Sequence, residues 1–224
     1  MIIENAHLTR QADIIPTTQA AQLPITIIGA GAIGSWTALT LAKSGFTNLT
    51  VYDFDTVSIE NMSSQGYRFA DIGKPKVDAL ADIIAMFTGI TIKTVNAKWS
   101  PNIHARGIVI AAADSMETRR YIYESIKSSM FQVTHMIDAR MGAEIAALYT
   151  TRPHAETWYD NTLYSDSEAV QAPCTAKATI YTSNLLSGLV VKTVKDILVG
   201  APYTKNAQWN IKDGDYTLWR STVN

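Results

Sequence analysis

A single cysteine, Cys174, in 224 residues rules out an internal disulfide framework and any four-cysteine zinc site. Positive charge is not in surplus: 19 Lys and Arg stand against 20 Asp and Glu, a formal net charge of −1. Nothing in that balance points to nucleic acid or an anionic membrane. No apolar run approaches the roughly 20 residues that span a bilayer. The start, Met1-Ile-Ile-Glu-Asn, lacks a basic stretch followed by an apolar one, so a secretory signal is not expected and a cytoplasmic location is. Internal repeats and low-complexity segments are absent. The four histidines, His7, His104, His135 and His154, are scattered without ligand spacing. What the chain does have is 47% hydrophobic and 17% charged residues, enough for a sizeable core and one large domain.

The most informative stretch is 25–76. A short β-branched run, Ile25-Thr-Ile-Ile28, reads as a buried strand. It meets Gly29-Ala-Gly31-Ala-Ile-Gly34 and then a helical segment over 35–43, stopped by Ser44-Gly45. Glycines between strand and helix permit a tight turn and a close approach of backbone to phosphate, and the helix N-terminus offers free N–H groups to an anion. A second strand at 49–52 leads into Asp53-Phe-Asp55. Asp53 lies 24 positions after Gly29, near the spacing of an acid that accepts hydrogen bonds from a ribose. Asp55 is either part of that site or part of the turn.

Downstream, helix and strand alternate. The periodicity predicts a helix over 76–87 with Pro75 in its first turn, a strand over 90–95, and a buried strand over 107–112 running towards Asp114. A helix over 115–130, a strand over 133–138, a strand over 145–150 that is a candidate for antiparallel pairing, and a helix over 178–199 follow. Asp114 stands where ligands of doubly wound sheets bind; a second reading makes it the cap of the next helix, with Glu117 completing a capping box. Lys76, on an amphipathic helix, is otherwise a solvated charge. Residues 151–173 read as a surface crossover over the sheet face. Residues 201–224 form a tail with a hairpin whose turn is Lys212-Asp213-Gly214-Asp215. Residues 1–24 form an N-terminal arm, with a short helix bracketed by Pro16 and Pro24. The class is α/β: a Rossmann-like, doubly wound, mainly parallel sheet in a single domain with antiparallel C-terminal strands.

Five motifs occur in order: the glycine turn; Val51-Tyr-Asp53-Phe-Asp55; Asn61-Met-Ser-Ser-Gln65; Gly73-Lys-Pro-Lys76; and Asp114 with Glu117-Thr-Arg119. Together they resemble the ThiF/MoeB/HesA family of the ubiquitin-activating (E1-like) adenylyltransferase superfamily. Leu8-Thr9-Arg10-Gln11 also resembles that family's N-terminal arginine motif. The resemblance implies ATP- and Mg²⁺-dependent adenylylation of the C-terminal carboxylate of a small ubiquitin-like or sulfur-carrier protein ending in Gly-Gly, or of a peptide. Gly29, Gly31 and Gly34 would line the phosphates and Asp53 would hold the ribose. Asn61, Gln65 and Lys76 would contact the nucleotide, and Asp114 would hold Mg²⁺. Arg10 would reach the partner's site in a homodimer. Cys174, in a Pro-Cys-Thr segment, would take the acyl group as a thioester; its other reading is a chemically neutral cysteine. The sequence departs from the family at Ser64, where relatives carry arginine, and Arg68 is the nearest replacement cation. Paired C-x-x-C motifs are missing, so no structural zinc is expected. A nucleotide-binding module without chemistry, or a nicotinamide-dependent oxidoreductase, are the competing classes.

Overall fold

The computed structural model describes residues 6–100, 105–128, 132–165 and 178–221. Eight strands form one sheet: β1 Ile25–Ile28, β2 Leu49–Tyr52, β3 Lys93–Val95, β4 Gly107–Ala111, β5 Val133–Gly142, β6 Ile145–Thr151, β7 Thr204–Asn210 and β8 Asp215–Arg220. Their spatial order is β3-β2-β1-β4-β5-β6-β7-β8. Pairing is parallel from β3 through β5 and antiparallel from β5 through β8. The chain leaves β1 towards β2 and β3, then returns to the other side of β1 with β4. That reversal is the crevice where open α/β sheets bind ligands.

Both faces of the parallel half are covered, which explains the unbroken apolar strands. Ile25, Ile27, Ile108, Ile110 and Ile137 pack on one side, against α2 (Ala32–Lys43), α3 (Lys76–Thr88) and α5 (Ile180–Leu198). Ile28, Val109, Ala111 and Met136 face the other way, onto Ile122, Tyr123 and Ile126 of α4 (Met116–Ser128). α2 is buried nearly all round, so its sequence carries only a weak amphipathic signature. It is pinned to α5 by polar contacts: Thr37 Oγ1 donates to Ser187 Oγ and Ser187 Oγ to the Ile33 carbonyl, both at 3.2 Å. In the arm, α1 spans Thr17–Gln22.

Four expectations need correction. The strand expected over 90–95 is only Lys93–Val95. Gly89 closes α3 in the left-handed region and the Ile90 N–H donates to Thr88 Oγ1 at 3.2 Å, so residues 90–92 belong to the helix exit. The strand expected to stop at 138 continues to Gly142 as one arm of the β5–β6 hairpin. The 151–173 segment, as far as 165, is not merely a surface connection. A short 3-10 helix, Trp158–Thr162, buries Tyr159 completely, with its ring 4.6 Å from that of Tyr123. The tail hairpin forms as expected, but β7 pairs with β6, so it extends the main sheet.

Phe46 sits at the end of α2 with no exposed surface. Phe46→Ala is expected to cost about 3–5 kcal/mol of stability, read as a lower urea midpoint with an unchanged denaturant slope.

Candidate functional site

The glycine turn is shaped by three separate demands. Gly29 has φ of +98°, and a Cβ there would lie 2.5 Å from the Ala112 carbonyl oxygen. At Gly34 a Cβ would lie 1.8 Å from the Gly29 carbonyl oxygen, so that glycine permits close packing of helix on turn. At Gly31 a Cβ would meet nothing within 4 Å. This middle glycine faces an open cradle at the N-terminus of α2, where no side chain caps the first N–H groups. Free amides, a helix dipole and open space are what a phosphate requires.

Asp53, at the end of β2, holds this turn in place. Its Oδ2 accepts the Ala30 N–H at 2.6 Å and its Oδ1 the Asp55 N–H at 2.8 Å. From the opposite side the Tyr67 hydroxyl donates to the Ala30 carbonyl at 2.6 Å. Burial, and then the charges of Asp53, Asp55 and Asp71, push the Tyr67 hydroxyl well above its ordinary pKa, so it is a fixed donor. Tyr67 was not anticipated, since a tyrosine inside a loop carries no periodic signal.

Residues 56–75 form an excursion between β2 and α3. Its base is sealed by Val57 N–H to the Lys74 carbonyl and Lys76 N–H to the Asp55 carbonyl, both 2.9 Å. Asn61 Oδ1 accepts the Ser58 N–H at 2.9 Å, capping a short turn. Ser64 is buried, and its carbonyl accepts Trp36 Nε1 at 3.0 Å. Ser35 of α2 bridges the Gly31 carbonyl and the Gly66 N–H. Ser64, Gln65 and Gly66 are thereby held beside the first turn of α2, and the Asn61 carbonyl accepts the Gln65 N–H at 2.9 Å. Gln65 Oε1 is buried and, among the described residues, has no hydrogen-bond partner.

The cations are already paired. Lys76 is buried with Nζ 2.9 Å from Asp55, whose side chain is 49% exposed. Lys76 is therefore not a solvated charge. Arg68 donates through Nε and Nη2 to Asp71, both 2.8 Å. The hydrogen bonds from Arg68, with help from Lys74, overcome burial and hold the Asp71 carboxyl at about 2, below its usual 3.8. Arg68 is thus engaged with Asp71 rather than filling the position of the arginine that Ser64 replaces.

Asp114 follows β4 and is exposed. Ala112, two residues earlier, packs directly on Gly29 and Gly34, which places Asp114 at the edge of the cradle. The capping expectation for Asp114 is corrected: Ser115 Oγ accepts the Thr118 N–H at 3.1 Å and is the cap of α4. The Asp114 carboxylate is left to face solvent. Among the described residues no three His, Cys, Asp or Glu side chains cluster as a metal cage. One carboxylate with nucleotide oxygens and water suits Mg²⁺, which favours that mixed coordination.

Arg10 lies elsewhere. Leu8 packs against Gly45, and Gln11 Nε2 donates to the Lys43 carbonyl at 3.4 Å, at the C-terminal end of α2. The cradle is at the other end of this 12-residue helix, about 18 Å away. Arg10 does not reach the site of its own chain. Cys174 lies outside the described residues. Asp138, Arg119 and Arg140 form a buried group at the same end of the sheet: Arg119 pairs with Asp138 Oδ1, and Arg140 Nε donates to Asp138 Oδ2 at 2.6 Å. Of these only Arg119 stood in a recognisable motif; an acid at the end of a buried strand was the available signal for Asp138.

A glycine turn open at its middle glycine, an acid on the neighbouring strand and a lysine on the next helix make up a Rossmann-like site with the form of a phosphate cradle. The profile of the ThiF family matches residues 10–222, and the chain belongs to that family. It is 36% identical over 104 residues to the NEDD8-activating enzyme E1 catalytic subunit of Dictyostelium discoideum, covering 44% of this chain and 24% of that protein. It is 31% identical over 105 residues to the molybdopterin-synthase adenylyltransferase of Salmonella typhimurium, covering 44% and 42%. The chain thus spans less than half the length of these relatives. Among solved structures, PaaA superposes with a TM-score of 0.77 at 20% identity over 97% of this chain and 73% of that one. Escherichia coli MccB, solved with AMPCPP and MccA, gives 0.72 at 14% identity over 93% and 66%. Among the described residues no helix is long and apolar enough to cross a membrane.

Gly31→Ala is expected to leave the unfolding midpoint unchanged while weakening ATP binding about tenfold or more, because the added methyl enters the cradle; calorimetric titration with ATP reads this directly. The Asp71–Arg68 pair predicts an acid-labile increment of stability. The folded pKa is depressed, so the increment is complete above about pH 4 and is lost as pH falls towards 2. Asp71→Asn should flatten that part of a pH series of urea midpoints.

Proposed function

We propose that the protein activates a C-terminal carboxylate by adenylylation. The observation that carries this reading is the open face of Gly31 in a turn held by Asp53, with Lys76 on the neighbouring Asp55 and Asp114 two residues beyond the Ala112 that packs on the turn. The names of the relatives support it: one is an E1 catalytic subunit and another an adenylyltransferase. A carboxylate oxygen of the substrate bonds to the α-phosphorus of ATP while the bond from that phosphorus to the β-phosphate oxygen breaks, giving an acyl-adenylate and pyrophosphate. The substrate is already an anion, so no general base is required. Free amides at the start of α2 hold phosphate oxygens, and Asp53 accepts from the ribose. Asn61 and Gln65 make neutral contacts. Lys76 exchanges its half-exposed partner Asp55 for the charge that develops on the leaving pyrophosphate. Mg²⁺ at Asp114 would supply further neutralisation of phosphate charge. The substrate is the Gly-Gly end of a small carrier protein or the end of a peptide, and MccB solved with MccA supports the peptide branch. Cys174 is the candidate acceptor for a later thioester. Arg10, remote from its own cradle, acts in the partner's site of a homodimer, in the cytoplasm.

Ser64 supports a second reading, a nucleotide-binding module without turnover. Arg68 is tied to Asp71, so among the described residues it does not stand in for the guanidinium that the family pattern has at 64. ATP bound at normal affinity, with no pyrophosphate exchange for any carrier or peptide, would favour it.

Pyrophosphate exchange is expected to fall about 10²–10³-fold in Lys76→Ala and in Asp114→Ala. Mixing Arg10→Ala with Lys76→Ala subunits should restore up to about a quarter of wild-type activity, because half the sites in each mixed dimer are complete. Full activity in both Lys76→Ala and Asp114→Ala would refute adenylylation at this site, and no recovery on mixing would refute Arg10 acting between subunits.

A further inference from the structure

Asp138 has no exposed surface. The β4–β5 register sets it beside Ala111, at the ligand end of the sheet. A lone carboxylate there would be costly; instead it receives three donors. Arg119 Nη1 donates to Oδ1. Arg140 Nε donates to Oδ2 at 2.6 Å and the Tyr159 hydroxyl to the same oxygen at 2.7 Å. Each arginine then extends its planar fork to backbone. Arg119 Nη2 donates to the carbonyl of Ala113, the residue immediately before Asp114, and its Nη1 also reaches the Ala139 carbonyl at 3.1 Å. Arg140 Nη1 donates to the Thr162 carbonyl at 2.7 Å and Nη2 to Thr162 Oγ1 at 3.0 Å. The Arg140 guanidinium is also stacked 4.3 Å from the centre of the Tyr149 ring; burial works against its charge, and Asp138 and Tyr159 together, through charge and hydrogen bonds, more than offset it.

A continuous chain of charge-assisted bonds therefore runs from the backbone beside Asp114 to Thr162, the last residue of the 3-10 helix that opens the crossover. We propose that Arg140 is a positioning residue that couples the crossover's entry to the metal-holding loop. This inference rests on the reading that Asp114 holds Mg²⁺ with ATP. Closing the loop on Mg²⁺·ATP tightens Arg119 on Ala113, fixes Asp138, and through Arg140 fixes Thr162. The coupling is reciprocal: any substrate that orders the crossover's entry raises the affinity for Mg²⁺·ATP by the same factor. The device needs two forks on one carboxylate. Lysine at 140 keeps the charge beside Asp138 but cannot also hold both Thr162 oxygens.

Hydrogen exchange of wild type, Arg140→Lys and Arg140→Met, with and without Mg²⁺·ATP, tests this. In wild type the nucleotide should slow exchange in both 113–118 and 157–164. In the two variants it should slow 113–118 alone, while the Mg²⁺ concentration for half-maximal pyrophosphate exchange rises about tenfold and the unfolding midpoint of Arg140→Lys stays near wild type. Protection of both segments in Arg140→Lys, or of 113–118 alone in wild type, overturns the coupling. Loss of protection at 113–118 in Arg140→Lys with a lowered unfolding midpoint also overturns it, because Arg140 would then be merely structural. Absence of protection at either segment in wild type overturns the nucleotide reading itself, and the coupling with it.

Discussion

The carboxylate of Asp53 is the contact on which the site depends. One oxygen takes the Ala30 N–H and the other the Asp55 N–H. The first bond sets the course of the glycine turn, and the second sets the direction in which the chain leaves β2 for the 56–75 excursion. Tyr67 returns from that excursion to hold the Ala30 carbonyl, so the turn is gripped from both sides. Both groups are buried, where hydrogen bonds are electrostatically stronger and a missing partner is most costly. The open face of Gly31 exists because everything around it is held.

The cations around the cradle differ in how readily they can turn to a ligand. Lys76 pairs with a half-exposed carboxylate, and solvent screens that attraction. In the proposed reaction a phosphate replaces Asp55 at small cost. Arg68 is bound through two nitrogens to the buried Asp71, which would keep only the half-exposed Lys74 at 3.2 Å if the arginine moved. Exposure of the acidic partner thus decides which cation is available. In the proposed adenylylation, Ser64 in place of an arginine leaves Lys76 a larger share of the charge neutralisation.

Much of the fold was legible from local patterns. β1, β2 and α1 follow from β-branched runs and proline brackets, and the C-terminal hairpin from Asp213-Gly214. The pattern misled where tertiary partners outweighed it. β5 runs past Asp138 because β6 folds back on it, and β3 is short because Thr88 and Gly89 close α3. The glycine turn of the site was also legible, since only glycine fits the contacts found at Gly29 and Gly34. Tyr67, Asp138 and Arg140 were not, because each acts on a residue at least 19 positions away or on a loop without periodicity.

By itself the sequence determined the class: an alternating α/β chain, a glycine turn between strand and helix, an acid one strand away and a motif order shared with the ThiF family. These are local properties, fixed by spacing along the backbone. Tertiary structure decided the rest. It placed Arg10 at the far end of α2 from its own cradle, gave the capping role to Ser115 and left Asp114 exposed, bound Arg68 to Asp71, and drew Asp138, Arg119, Arg140 and Tyr159 into one buried network. Those outcomes depend on which charges lose water together, and only the packed chain sets that.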